Sequence, residues 1–328
     1  MKDSVILADP NSRSWKFAQS VHEKLAAKKN DVSLYKVEIT KFADGETYAR
    51  VLHNVREKKC YFIHDSSKPA NDWLVELMLV NDALKRSSAS SVIDVLPYMK
   101  YSRQDRKDKS RVPISAKVIA DSIAYRADKV ITTDLHVDQI QGFYNKPVDN
   151  LHAFPTIVEY LRGKHPEYCD NAVVISPDAG GVLRARAFAK RLDKEIALVD
   201  KRREKAGEVA GVNIVGDVNG KNAIIVDDII DSGNTLIEVS KALRKNGASK
   251  VYACCTHGLL SKNASERLPK SLDGIIITDT IPQNNIGDIQ CVSLADLYAE
   301  AIYRTAKGLS LSELFEDAPR TNANSEKA

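Results

Sequence analysis

Two adjacent carboxylates, Asp227 and Asp228, stand between an apolar run and a small polar turn, Asp231-Ser232-Gly233-Asn234-Thr235. The run, Ala223-Ile224-Ile225-Val226, is short, rich in β-branched residues and unalternated, which suits a strand buried on both faces of a parallel sheet. After the turn, Leu236, Val239, Ser240 and Leu243 keep helical spacing until Asn246-Gly247 closes the pattern. Strand, turn and helix start in this order make an anion site, because unpaired amides and the positive end of the helix dipole face whatever sits above the turn. Two carboxylates would repel a phosphate held there, unless they accept hydrogen bonds from sugar hydroxyls while the amides take the phosphate. The chemistry expected is therefore recognition of a sugar phosphate, here a pentose 5-phosphate. Asp and Ser merely capping a helix would account for a bare Asp-Asp pair, but not for the whole string.

Other stretches carry related chemistry. Residues 97–113 hold six basic side chains between Lys100 and Arg111, with tyrosines before them and almost nothing apolar inside. Such a segment is expected to protrude as a loop. A solvated loop or a basic patch for nucleic acid is the plain reading. Its place at the C-terminal end of a strand, where α/β ligand crevices lie, favours a polyphosphate clamp in which Arg103 can also stack on a base. His136 follows a buried strand at 129–133, with Asp134 two residues earlier, and is a candidate for metal or phosphate contact. In Ser176-Pro177-Asp178-Ala179-Gly180-Gly181, paired glycines let a ligand approach the backbone, and Asp178 is suited to Mg2+. Lys201-Arg202-Arg203-Glu204-Lys205 sits on a Gly-containing arm, read as a phosphate contact in preference to a charged hairpin.

The scaffold that must position these residues alternates strands with helices. Strands are expected at 4–8, 33–39, 60–64, 91–96, 129–133, 172–175, 196–199, 223–226, 251–256 and 275–278. The helices between them include 15–28, 71–85, 114–126, 182–192 and 293–305, which points to βαβ units and parallel sheets. The halves share a plan of strand, ligand loop and helix, as an internal duplication would give, with the crossover at 151–155. At 328 residues, 43% hydrophobic and 28% charged, the chain has room for two domains with real cores. The balance of 48 basic to 44 acidic residues is too mild to indicate nucleic-acid binding. Five cysteines without a CxxC pair fit reduced thiols, and no apolar segment approaches a membrane span. With no signal-like N-terminus, a cytoplasmic location is expected. The polar stretch 317–328 is expected to be disordered.

The strings KFADGET, YSRQDRKDKSRVPISAK, TTDLHVDQIQGFYNKPVDNLHA, SPDAGG, DKRREKAGEV, VDDIIDSGNT and THGLLS follow one another along nearly the whole chain. Together they resemble the ribose-phosphate pyrophosphokinase (phosphoribosyl pyrophosphate synthetase) family, of the common phosphate-regulated class. That resemblance implies an α/β fold of two similar phosphoribosyltransferase-like domains, each a mainly parallel sheet flanked by helices. Residues 1–152 would form an ATP-binding domain and 153–305 a ribose-5-phosphate-binding domain. Residues 306–328 would return to the N-terminal domain. The implied reaction is attack of the C1 hydroxyl of ribose 5-phosphate on the β-phosphorus of MgATP, giving phosphoribosyl pyrophosphate and AMP for nucleotide biosynthesis.

By the same resemblance, Asp227 and Asp228 hold ribose hydroxyls, and Asp231, Ser232, Gly233, Asn234 and Thr235 cradle the 5-phosphate. Phe42, Asp44 and Glu46 meet the adenine of ATP bound mainly to a neighbouring subunit, while Arg103, Gln104 and Asp108 hold the base and phosphates. His136 and Asp178 serve Mg2+, and Lys201 and Arg203, with His136, are the catalytic set. Homodimers assembling into hexamers are implied, with no nucleic acid and no membrane as partners. Gln141, Asp149, Asn150, Ser310 and Ser312 fit a regulatory anion site, but Asp138 stands where the family commonly has Ser, so weak activation by inorganic phosphate is expected. The Ser232 and Asn234 spelling of the phosphate loop is common in purine phosphoribosyltransferases, with Asn234 expected to tolerate a positive φ. A purine phosphoribosyltransferase or a non-catalytic regulatory subunit are the alternatives. The first leaves the basic segment and the chain length unexplained, and the second is disfavoured by the presence of Lys201, Arg203, His136 and Asp178.

Overall fold

In the computed structural model, which describes residues 3–28, 32–201 and 212–314, each half of the chain builds a seven-stranded sheet. The first contains β1 (Ser4–Ala8), β2 (Ser33–Lys41), β3 (Thr47–Val51), β4 (Lys59–Ile63), β5 (Ser91–Leu96), β6 (Lys129–Thr133) and β7 (Val148–Leu151). The second contains β8 (Ala172–Ser176), β9 (Glu195–Lys201), β10 (Val212–Val215), β11 (Asn222–Ile230), β12 (Lys250–Gly258), β13 (Gly274–Thr278) and β14 (Gln290–Val292). Their spatial orders, β3-β2-β1-β4-β5-β6-β7 and β10-β9-β8-β11-β12-β13-β14, are the same order repeated. Only the outer pairs, β2 with β3 and β9 with β10, are antiparallel. The duplication legible in the sequence is thus a duplication of topology.

The sequence reading misses β3, β7, β10 and β14, which are the four sheet edges. Val148-Asp149-Asn150-Leu151 and Gln290-Cys291-Val292 are too short and too polar to show a strand period, and they pair only on one side. The central strands β1, β4, β5 and β8 are buried along nearly their whole length and were recognisable from their apolar runs.

The helices are α1 (Trp15–Ala27), α2 (Ala70–Arg86), α3 (Ser115–Ala124), α4 (Phe154–Lys164), α5 (Val182–Leu192), α6 (Asn234–Lys245), a single turn α7 (Ala264–Arg267) and α8 (Ala295–Lys307). In α6 the buried residues Leu236, Val239, Ser240 and Leu243 are those whose spacing predicted the helix. In α3 the helix begins at Ser115, so Ala116, Ile119, Ala120 and Ile123 face inward, and Val118 is 56% exposed.

The two halves exchange their last helices. α4 follows the first sheet but packs on α5, and α8 follows the second sheet but packs on α1, where Phe17 meets Tyr298 edge-on at 5.5 Å. One continuous core therefore runs from Ile6 and Val21 through Ile157 and Phe188 to Ile302. Polar bonds join the strand ends across the same boundary. Thr256 donates to Asp134 Oδ2 at 2.6 Å, and His257 Nε2 lies 3.1 Å from Thr133 O.

Within the first half, Asp94 of β5 is fully buried and accepts a hydrogen bond from Asn81 Nδ2 at 2.9 Å. Burial, partly offset by Asn81, raises its pKa from 3.8 to about 8. The fold keeps a proton there that the unfolded chain releases, so this group's stabilising contribution is complete below about pH 4 and is lost as pH rises through about 8. Thermal melts at about pH 6 and about pH 9 should show the wild type losing about 3 kcal/mol more than Asp94→Asn. Equal losses in the two proteins would contradict this.

Candidate active site

The two carboxylates lie within a strand and not beyond one, as the apolar run alone suggested. Ile229 and Ile230 continue the ladder with β12, pairing Ile229 with His257 and Ile230 with Gly258, so β11 carries Asp227 and Asp228 inside it. Asp228 is buried and held from two sides. His136 Nδ1 lies 2.8 Å from its Oδ2, and Arg184 Nη1 donates to its Oδ1 at 3.1 Å. Arg184 also stands 3.7 Å from Asp227 Oδ1. Burial opposes charge on Asp228, but the His136 hydrogen bond and the Arg184 charge outweigh it and hold the carboxyl well below its usual range. Asp227 goes the other way: burial and the charge on Asp228 raise its pKa, so the pair resists carrying two charges. The hydrogen bond to Asp228 raises the pKa of His136 against the effect of burial, favouring the imidazolium.

Above this pair lies a cavity of about 550 Å³. Asp231 to Thr235 line it beside Asp227, Asp228, His136 and Asp178, with Arg103 and Arg106 from the basic loop. Gly233 caps α6 with φ +76°, a left-handed conformation that an L side chain enters at a cost. A Cβ there would meet Leu268 Cδ2 at 2.9 Å. The positive φ expected at Asn234 falls instead on Gly233. Asn234 is the first residue of α6, and its Oδ1 accepts a hydrogen bond from Arg267 Nη2 at 2.8 Å. Arg103 Nη1 reaches across to Asp231 Oδ2 at 2.7 Å, and Ser261 Oγ donates to Asp231 Oδ1 at 2.6 Å. The basic loop and the 231–235 turn are thus joined directly.

Asp178 turns its Oδ1 to the Gly181 amide at 3.0 Å, and a Cβ on Gly180 would stand 3.2 Å from that oxygen. The paired glycines allow this tight turn. Among the described residues no three His, Cys, Asp or Glu side chains form a metal cage. The Asp178 carboxylate on the cavity wall suits a hard cation that keeps most of its ligands from water and from a substrate's phosphates, and His136 joins such a set only as the neutral imidazole.

The remaining expected residues divide into three groups. Gln104 lines an adjacent 350 Å³ pocket with Lys100, Tyr98 and Arg103, and its Oε1 accepts from Ser115 Oγ. Burial lowers the Lys100 pKa to about 8. Asp108 is exposed on the same loop. Phe42, Asp44 and Glu46 occupy the β2–β3 tip, where Phe42 is 56% exposed and none of the three lines the cavity. Lys201 ends β9 opposite Val212, while its side chain and Arg203 lie outside the described residues. In the group expected to be regulatory, Asn150 Nδ2 donates to Asp138 Oδ1 at 2.9 Å and Gln141 Nε2 to Asp138 O at 3.1 Å. Asp149 pairs with Lys129, and the Ser312 amide donates to Ser310 Oγ. Arg184, Arg106 and Arg267 were not singled out from the sequence. Each is one cation among several in its own segment, and only the fold distinguishes them.

Comparison with known proteins agrees with this geometry. Residues 10–125 match the model of the N-terminal domain of ribose phosphate pyrophosphokinase, and residues 203–316 match that of the phosphoribosyl synthetase-associated domain. A ribose-phosphate pyrophosphokinase of Caldanaerobacter subterraneus subsp. tengcongensis is 46% identical over 305 residues, covering 92% of this chain and 94% of its own. One of Campylobacter jejuni is 43% identical over 307 residues, covering 93% and 97%. The crystal structure of phosphoribosylpyrophosphate synthetase from Mycobacterium smegmatis superposes with a TM-score of 0.83 at 35% identity, over 93% of this chain and 99% of that one.

Proposed function

This chain belongs to the ribose-phosphate pyrophosphokinase family, and from that premise we propose how its own residues carry out the reaction. The enzyme transfers the pyrophosphoryl group of ATP to the C1 hydroxyl of ribose 5-phosphate, giving phosphoribosyl pyrophosphate and AMP. One observation carries the assignment of the site: Asp227 and Asp228 share a cavity with the α6 N-terminal loop, His136, Asp178 and Arg103.

In this reading the 5-phosphate sits on the amides of residues 231–235 at the positive end of α6. Asp227 and Asp228 accept hydrogen bonds from ribose hydroxyls, with Arg184 and His136 balancing their charge. The C1 oxygen attacks the β-phosphorus, the bond from β-phosphorus to the α,β-bridging oxygen breaks, AMP departs, and the C1 hydroxyl proton is lost. Arg103, Gln104 and Asp108 hold the nucleotide. Asp178 would hold Mg2+, joined by His136 where its ring has given up the added proton, and the ion when bound neutralises phosphate charge. Lys201 and Arg203 stabilise the transferring group; this step needs positioning and cations more than a covalent nucleophile.

Residues 1–152 then serve ATP and 153–305 serve ribose 5-phosphate, with the segment from 306 returning to the first half. Support for the last comes from Leu311 and Leu314, which pack against the core that α1 and α8 share. Homodimers assembled into hexamers would bring Phe42, Asp44 and Glu46 of one subunit to the nucleotide of another. The exposed Phe42 tip and the exposed Val75, Met78 and Leu79 on α2 support such contacts. No described helix is long and apolar enough to cross a membrane. Together with free thiols at all five cysteines, this supports a cytoplasmic location.

The test is AMP release from MgATP with and without ribose 5-phosphate, in phosphate-free buffer. AMP formed only with the sugar, matched by phosphoribosyl pyrophosphate, is the expected result; AMP formed equally without the sugar would defeat the assignment. The same assay examines regulation. Asp138 puts a carboxylate among the candidate regulatory groups and occupies the Asn150 amide, so adding phosphate should raise the rate by less than about twofold, since the ion would meet a fixed like charge. A many-fold rise would refute this.

A further inference from the structure

Because both sheets have one strand order, the catalytic cavity has a counterpart position in the other half. β1 corresponds to β8 and β13 to β6. Counting from the last residues of β8 and β1, Gly181 corresponds to Arg13 and Arg184 to Lys16. From the last residues of β6 and β13, Asp134 corresponds to Asp279 and His136 to Ile281. At that position lies a second cavity, of about 500 Å³. Its walls are the β1–α1 loop, with Pro10, Arg13, Trp15 and Lys16, and the chain after β13, with Ile281 and Gln283.

We propose that this second cavity is a ligand site of its own, and that it takes a nucleoside monophosphate. Arg13 and Lys16 replace a glycine and the carboxylate-bound Arg184 of the first cavity. Both are exposed, and among the described residues neither side chain makes an ion pair. They stand around the start of α1, a 13-residue helix with no acidic residue in its first turn, so side-chain charge and helix dipole favour the same anion. Trp15, Ile281 and Pro282 supply flat apolar surface for a base, and Gln283 and Asn284 supply amides for its edge. Asp279 is the one acidic wall residue. It accepts a hydrogen bond from the Leu294 amide at 2.8 Å, which ties one carboxylate oxygen to the backbone.

The second cavity is not a copy of the first in chemistry. The matching registers of β1 with β4 and β8 with β11 place His64 and Asp65 where the other half has Asp227 and Asp228. Asp65 is already engaged: its Oδ2 accepts the Arg13 amide at 2.9 Å and its Oδ1 the Ser67 amide at 2.8 Å. The paired acceptors for sugar hydroxyls are missing at this position, while a phosphate and a base are both provided for. The cavity therefore binds without turning over.

Equilibrium dialysis of AMP against the full-length enzyme should find two molecules per chain, one in each cavity. Arg13→Glu/Lys16→Glu should weaken one of them by about tenfold or more, as two reversed charges require, and leave kcat without added AMP unchanged. Inorganic phosphate and adenosine, used as separate probes, should each bind the second cavity at least about tenfold less tightly than AMP. One AMP per chain in the wild type, unaltered binding in the variant, or phosphate binding as tightly as AMP would each overturn the proposal. Should the double variant melt early, Lys16→Gln must show the same loss in smaller degree, and its failure to do so counts equally against the site.

Discussion

Arg184→Met should lower kcat/KM for ribose 5-phosphate by about 10²–10³-fold, comparable to removing a charged hydrogen-bond donor from an active site. The guanidinium is one-fifth exposed and lies 3.1 Å from Asp228 and 3.7 Å from Asp227. Without it, two adjacent carboxylates are left with His136 as their neighbouring cation. Such a pair takes up a proton more readily, and a protonated carboxyl loses an acceptor that the sugar hydroxyls need. The variant's activity should accordingly recover in part as pH rises, while its melting temperature stays depressed. Arg184→Lys should fall between the two, because an ammonium cannot serve two carboxylates with a planar fork. Steady-state kinetics across pH, with thermal melts alongside, check each part. A Met variant within about threefold of wild type would show that Arg184 is dispensable.

Gly233→Ala should raise KM for ribose 5-phosphate by about 10²-fold. An L residue at φ +76° costs about 1 kcal/mol, and overpacking a core contact adds about 1–3 kcal/mol. The added Cβ meets Leu268, which is itself fully buried and has nowhere to move, so the loop must shift instead. Displacement of the amides proposed to hold the phosphate is the expected consequence. Asn234→Gly should change KM by less than about threefold, because that residue is already helical and Gly there costs only about 1 kcal/mol. If the Ala variant keeps a normal KM, the 5-phosphate does not rest on this turn.

How much of the site the sequence reveals depends on whether its parts are contiguous. Asp227 to Thr235 could be read as strand, carboxylates and anion turn because all three lie within one short stretch of chain. His136 and Asp178 could be read because each follows a buried strand directly. Arg184 could not, since Arg186, Lys190 and Arg191 surround it in a basic helix and only the packing of α5 beside β11 sets it apart. The edge strands escaped for a related reason: a strand paired on one side needs little apolar content. The helix exchange was hidden too, because α4 and α8 look like ordinary closing helices of the sheets they follow. Nothing local encodes that each packs against the other half.

That exchange bears on how the protein is made. A ribosome releases the first sheet early, but the helix that covers α1 begins only at Ala295. The second sheet, by contrast, has α4 available before its own first strand appears. Protease digestion of chains stalled on the ribosome just short of Ala295 should find α1 cut and α5 protected; equal protection of both would contradict this order. The half synthesised first is then the half completed last.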